Sequence, residues 1–192
     1  MKVPGRAIYY AALIAVIAAL THLTALLIVP SVAENDAYAR VALLGAPFKT
    51  IALPAPTPGG RAFPYADPAV AAAVCLYDLS GGPVRARAPL RRAGFASLSF
   101  HSRRGVAFYA LTDRAAAKGR MDALIVTPEQ LRVLAAHDDE DNPSDDLRIV
   151  SPTLRGFVMM RVLSESPDES PEAAAEAAAM TCAPEPIAEA EK

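Results

Sequence analysis

The chain has 192 residues, 53% of them hydrophobic. With an apolar N-terminal run and an acidic C-terminal stretch set aside, about 130 residues remain, one ordinary domain with room for a real core. The net charge of −2 says little, because the charge is segregated: Arg85, Arg87, Arg91, Arg92, Arg103, Arg104, Arg114, Lys118 and Arg120 share their stretch with the single acid Asp113, whereas from Glu165 onward the chain is acidic.

Residues Ala7–Val29, AIYYAALIAVIAALTHLTALLIV, form a run of 23 without a formal charge. As a helix they reach about 34 Å, enough to cross a bilayer core with some tilt. Lys2 and Arg6 precede the run, and Glu34 and Asp36 follow it. The positive-inside bias therefore predicts a single-pass bacterial inner-membrane protein with a cytoplasmic N-terminus and a translocated, periplasmic domain. Ser31-Val32-Ala33 has the form of a signal-peptidase site, but the run is far longer than a signal h-region of about 7–15 residues. Pro30 is expected to end the helix. An exported domain leaves nucleic acid outside the expected partners. A basic ridge beside a membrane could meet anionic headgroups, an acidic partner or the chain's own tail, or could simply be a set of solvated turns and strand faces.

The anchor has a face. On a helical wheel, Ala7, Ala11, Ala12, Ala15, Ala18, Ala19 and Ala25 fall on one side with His22, opposite Leu13, Val16, Ile17, Leu20 and Leu27. Small residues at four-residue spacing let helix backbones approach closely, and an ionisable group at this depth is a functional candidate. The face Ala11, Ala15, Ala18, Ala19, His22 suits a membrane-protein partner or a homodimer. The alternative is an alanine-rich anchor by composition, with His22 neutral and locally bonded.

The remaining elements follow in order. Asn35 or Asp36 can cap a short helix that stops at Gly45, and Phe48–Leu53 reads as a strand before the breaker run Pro54–Gly60. Asp67-Pro68 can open a turn of helix. Val74–Leu79, the turn Ser80-Gly81-Gly82 and Val84–Ala88 read as a half-buried hairpin, with Arg85 and Arg87 on its polar face. Phe95–Phe100 and Val106–Leu111 read as a second hairpin, Asp113–Lys118 as a short helix ended by Gly119, and Ala123–Val126 as a strand. Thr127-Pro128-Glu129-Gln130 is a strong helix start, with Thr127 as cap, Pro128 in the first position and Gln130 completing a capping box. Leu147–Val150 and Gly156–Leu163 read as strands. Ser170-Pro171-Glu172 opens an alanine-rich helix expected to run to about Cys182, before a tail of disordered composition.

Hairpins dominate, which predicts an α+β fold: one N-terminal transmembrane helix, then a mostly antiparallel β domain with a few short helices. The expected division is residues 1–30 as anchor, 31–165 as exported domain and 166–192 as acidic helix and tail.

Cys75 and Cys182 leave two readings open. An oxidising compartment permits a bond between them, worth about 4–5 kcal/mol by loop-closure entropy and pinning the last helix to the domain. Otherwise Cys75 is a buried free thiol and Cys182 an exposed one.

The stretches DPAVAAAVCLYDLSGGPVRARAPL and RRGVAFYALTDRAAAKGRMDALIVTPEQL, with THLTALLIVP and DAYARV before them, resemble the membrane-anchored short form of the DUF1254 family, a bacterial family of unknown function. The likeness is carried by Asp67-Pro68, Cys75, Asp78-Leu79-Ser80, Pro83, Gly105 and Asp113-Arg114, and extends to about Leu163. An aromatic near Ala96 and an Asn at Thr112 would be expected of the family, and the chain departs from its pattern at these two positions. The resemblance implies an exported envelope domain, often associated with a companion domain of DUF1214 type. It supplies no established active site.

Chemistry-bearing motifs are few. The sequence holds no GxSxG elbow, no HExxH and no phosphate-binding glycine loop. His22, His101 and His137 lack ligand spacing, so no metal site and no cofactor are expected. Ser97 or Ser99, His101 and Asp113 could in principle assemble a triad, on a weak signal of common residue types. The run His137–Asp146 is rich in hard oxygen ligands but lacks the EF-hand order and its central Gly, and reads as a solvated acidic loop. Three functions follow in order: a non-enzymatic envelope protein acting as an interaction or accessory subunit; a small-ligand-binding module with Asp78, Arg85, Arg87, Asp113 and Arg114 around a pocket; and an enzyme without a recognised motif, with no catalytic residue assigned.

Overall fold

Gly5–Val32 forms one α-helix, α1, of 28 residues. Its described side chains are exposed throughout, and Gly5–Val29 is long and apolar enough to span a membrane, with a mean hydropathy of 2.5. Pro30 does not end it. At the last turn a proline removes one intrahelical bond only, and the helix continues to Val32. The computed structural model describes residues 4–32, 36–56, 66–91, 94–138 and 145–186. Lys2, Glu34, the glycines of the breaker run at 59–60, Arg92, the acidic stretch 139–144 and the tail 187–192 lie outside the described residues. The chain divides into two units, Met1–Asp36 and Ala37–Lys192.

The second unit opens with α2 (Ala37–Ala42), which gives way to a turn at Leu43-Leu44. Next come β1 (Thr50–Ala52), β2 (Val70–Asp78), β3 (Val84–Pro89), β4 (Ala96–Ser102), β5 (Ala107–Thr112) and β6 (Arg120–Val126). The helix α3 (Pro128–His137) leads to β7 (Arg148–Val150) and β8 (Arg155–Leu163), and α4 (Ser170–Ala178) leads to β9 (Thr181–Pro184). The strands form a five-stranded sheet in the order β1-β2-β8-β4-β5, antiparallel throughout, and a four-stranded sheet in the order β7-β6-β3-β9.

Alternation along the strands builds the core. Ala73, Cys75 and Tyr77 of β2, Leu98 and Phe100 of β4, and Val158 and Met160 of β8 point inward from the first sheet. Val84, Ala86 and Ala88 of β3 meet them from the second, together with Met121, Ala123 and Ile125 of β6. Ala173 and Ala177 of α4 complete this layer. On the outer side of the first sheet, Val41 of α2 packs with Val74, Leu76 and Phe157 in a smaller cluster.

The α+β class stands, and the β4–β5 hairpin forms, with a register shift between Phe100 and His101. The other hairpin does not. β2 pairs with β1 and β8, and β3 with β6 and β9, so the chain leaves one sheet at Asp78 and enters the other at Val84. The SGG signal is a true turn signal: Asp78 caps a 3-10 turn over Leu79–Gly81, and Gly82 takes φ 137° to redirect the chain. Strands facing each other across a core show the same alternation as strands lying side by side.

Three further expectations change. Residues 113–118 hold only a 3-10 turn, Asp113–Ala115. β6-α3-β7 is a strand–helix–strand unit whose strands pair in parallel. Lastly, the C-terminal helix stops at Ala178, and Cys182 belongs to β9, which pairs antiparallel with β3. The Thr127 capping box forms with both its hydrogen bonds, Gln130 N–H to Thr127 Oγ1 at 3.1 Å and Thr127 N–H to Gln130 Oε1 at 2.9 Å.

Candidate functional site

The alternation that puts Val84, Ala86 and Ala88 inward turns Arg85 and Arg87 to the outer face of the second sheet, beside Asp122 of β6 across the strand pair. The Arg85 side chain is only 10% exposed. Its Nη1 and Nη2 donate to Asp146 Oδ1 and Oδ2 at 2.7 and 2.8 Å. Nη2 also donates to Glu185 Oε1 at 2.6 Å and Nη1 to Asp122 Oδ1 at 3.2 Å, while Nε donates to Glu185 Oε2. All five N–H groups of the guanidinium are therefore engaged. Asp146 first and Glu185 next hold its pKa above the ordinary arginine value. Asp122 Oδ2 accepts from Arg87 Nε at 2.9 Å and lies 3.5 Å from Arg120 Nε. Nearby on the same sheet, Arg148 forks onto Asp138 with two bonds of 2.6 Å. This lattice ties β3, β6, the segment before β7 and the residue after β9 into one face. A saturated, half-hidden guanidinium is a clamp, with no donor left to offer a ligand.

Asp78 stands elsewhere, at the end of β2. Its Oδ1 accepts from Ser80 N–H at 2.9 Å and its Oδ2 from Arg155 Nε at 2.7 Å. Hydrogen bonding from Ser80, then Arg155, holds this carboxyl below the usual carboxylate range. Asp78, Ser80, Arg103, Thr153, Leu154 and Arg155 line a shallow, open hollow. Asp113 and Arg114 sit on the 3-10 turn leaving β5, at the opposite end of the first sheet. Of the five residues considered for ligand binding, the structure thus brings Arg85 and Arg87 together through Asp122 and places Asp78 and the Asp113-Arg114 pair at two other sites.

Ser99 and His101 meet on the outer face of β4, with Ser99 Oγ 3.0 Å from His101 Nε2. His101 Nδ1 lies 3.2 Å from the Gly105 carbonyl, which assigns the proton to Nδ1 and leaves Nε2 to accept from Ser99. The ring stacks on Phe157 at 4.5 Å, and burial keeps the imidazole below its ordinary pKa, in the neutral form. Here a backbone carbonyl occupies the position an acid would take in a triad. Asp113 lies at the far end of β5, and Ser99 is buried.

Cys75 and Cys182 form a disulfide with Cα atoms 6.4 Å apart, joining β2 of one sheet to β9 of the other. In α1, Ala11, Ala15, Ala18, Ala19 and His22 are all exposed. Among the described residues no group of three or more His, Cys, Asp or Glu is arranged to hold a metal ion. The partners that matter most at these sites, Asp122, Asp146, Arg155 and Glu185, were not readable as such from the sequence. Only the outward position of Asp122 on the strand facing Arg87 offered a cue.

The profile of a protein family described as "Protein of unknown function (DUF1254)" matches residues 48–184, from the approach to β1 to the end of β9. The chain belongs to the DUF1254 family. That match takes in the Arg85 clamp up to its last carboxylate, both cysteines and the Ser99–His101 pair, and it begins after α2. Comparison with curated proteins finds no match. Among solved structures, this DUF1254 protein is similar to the VPA0106 protein from Vibrio parahaemolyticus, with 11% identity and a TM-score of 0.48, over 67% of this chain and 33% of that one. It is also similar to an uncharacterized protein from Burkholderia cenocepacia, with 9% identity and a TM-score of 0.36, over 54% of this chain and 27% of that one. The chain spans about a third or less of the length of these solved proteins.

Proposed function

We propose that this DUF1254 protein is a single-span component of the bacterial inner membrane whose domain faces the periplasm and acts as an interaction or accessory subunit. The observation that carries the reading is α1, whose stretch Gly5–Val29 combines spanning length with a mean hydropathy of 2.5 and exposed side chains. In lipid such a helix satisfies its own backbone. Arg6 in its first turn and Asp36 after it support a cytoplasmic N-terminus. A disulfide between the two sheets fits an oxidising compartment. The Arg85 lattice and the Ser99–His101 pair are closed on themselves, which favours a binding role over a catalytic one. The partner reads the Ala11, Ala15, Ala18, Ala19 and His22 face of α1, as a second membrane helix or a second copy, and a companion of DUF1214 type docks on the domain.

In-cell crosslinking, solubilisation from native membranes and mass spectrometry test this directly. A stoichiometric partner that is lost on Ala15→Leu supports the reading. Recovery of the protein alone refutes the subunit role. Labelling of Arg132→Cys, at a position whose native side chain is 78% exposed, by a membrane-impermeant thiol reagent in intact spheroplasts supports the periplasmic placement, and labelling only after lysis refutes it.

A further inference from the structure

One end of the five-stranded sheet gathers the approach to β1, the exit of β2, the β4–β5 turn and the turn entering β8. Phe48 N–H donates to the Leu76 carbonyl at 2.9 Å, and Arg103 N–H to Thr153 Oγ1 at 3.0 Å, so these connections are in mutual contact. α2 lies against the same end: the Arg103 guanidinium sits 4.2 Å over the Tyr38 ring, and a Cβ on Gly105 would come within 3.0 Å of Ala37 Cβ.

This end carries large apolar side chains in water. Leu43 is 87% exposed, Val106 63% and Leu154 57%, with Leu44 and Phe48 also exposed. Arg40, Lys49, Arg103, Arg104 and Arg155 ring them, all exposed. The acids among the described residues here are Asp36 and Asp78, and Asp78 is paired with Arg155. Glu129 and Glu185 belong to the side of the other sheet, where Arg132 and Arg85 meet them. Protruding leucine and valine among arginines and lysine is the composition of a surface that enters the interfacial layer of a negatively charged bilayer: apolar side chains insert and cations meet phosphates. Only residues 33–36 separate α2 from α1. We infer that this end of the domain docks onto anionic lipid headgroups, so that the protein holds the bilayer at a second place besides its anchor. The inference rests on the reading of α1 as a membrane span.

The chain contains no tryptophan, so a single introduced one reports alone. Full-length Leu43→Trp, Val106→Trp, Leu20→Trp and Phe95→Trp would be reconstituted in nanodiscs containing brominated lipid, either with phosphatidylglycerol or with phosphatidylcholine only. Phe95 is 51% exposed just before β4, at the opposite end of the sheet, and serves as the distant reference. The expected result with phosphatidylglycerol is strong quenching at positions 20, 43 and 106, at least about two-fold above position 95. Quenching at 43 should fall to the reference level on adding Lys49→Glu with Arg104→Glu, and on raising salt with no mutation at all. Quenching at 20 with none at 43 and 106 would overturn the docking and leave the anchor standing. No quenching at 20 would overturn both. Equal quenching at 43 on neutral lipid would overturn the assignment to anionic headgroups.

Discussion

Reducing the Cys75–Cys182 bond is the sharpest perturbation of the domain. The two residues are 107 positions apart, and the bond crosses the core between sheets. Loop-closure entropy for a ring of that length gives about 4.7 kcal/mol at room temperature. A domain of ordinary stability has about 5–15 kcal/mol in all, so reduction removes a large share. With a guanidinium slope of about 4 kcal/mol per molar, the unfolding midpoint should fall by about 1 M. Reduction is preferable to replacement, because Cys75 is fully buried and Cys75→Ala would add a cavity cost of its own. The assay is a guanidinium titration of the full chain in detergent, with and without dithiothreitol, followed by near-ultraviolet dichroism of its tyrosines. Thiol counting on the unfolded protein runs in parallel. A midpoint shift below about 0.2 M after complete reduction would refute the loop-closure argument, and two free thiols before reduction would refute the bond itself.

Arg85→Met should destabilise by about 2–3 kcal/mol, because Asp146 and Glu185, each about a third exposed, lose their charge-assisted bonds to it while Asp122 is left with Arg87 and Arg120; Arg85→Lys should recover little, and thermal melts showing a loss under about 1 kcal/mol for either would overturn the clamp. Burial pushes the Tyr77 hydroxyl up to about 12, so its contribution is complete below its unfolded pKa of about 10 and is lost as pH rises toward about 12. Tyr77→Phe should flatten that alkaline limb in denaturation measured against pH, and an unchanged limb would contradict the assignment. Gly156→Ala should cost about 3 kcal/mol or more, since the added Cβ would overlap the His101 carbonyl and the Tyr77 ring; a soluble variant melting within about 2 °C of the parent would show that β4 and β8 can part at that point.

Local features of the chain were readable to the extent that their causes are local. The Thr127 cap depends on residues three apart, and the β4–β5 hairpin on a turn of a few residues, so both could be read directly. The hairpin expected of β2 and β3 could not be, because its alternation is satisfied equally by neighbours beside it or across the core, and the choice was made by β8, some 80 residues away. The last strand was masked by composition: a run of alanines favours helix, but Thr181–Pro184 completes the sheet beside β3 and brings Cys182 to the core. Of the candidate residues, Arg85 and Arg87 were rightly placed on one strand face. The saturation of Arg85 was invisible, since Asp146 and Glu185 come from loops with no periodicity to announce them.

The position of β8 sets the order in which the domain can be assembled. Among the described residues it is the only strand joining the β1–β2 pair to the β4–β5 pair in the sheet, and it is made from residues 155–163. A chain emerging from synthesis with everything up to β7 in hand holds two separate halves of one sheet and an exposed row of backbone donors and acceptors on each. Pairings this remote in sequence are slow to form. The fold therefore stays open through most of synthesis, and the late arrivals, β8 and then β9 with Cys182, close it.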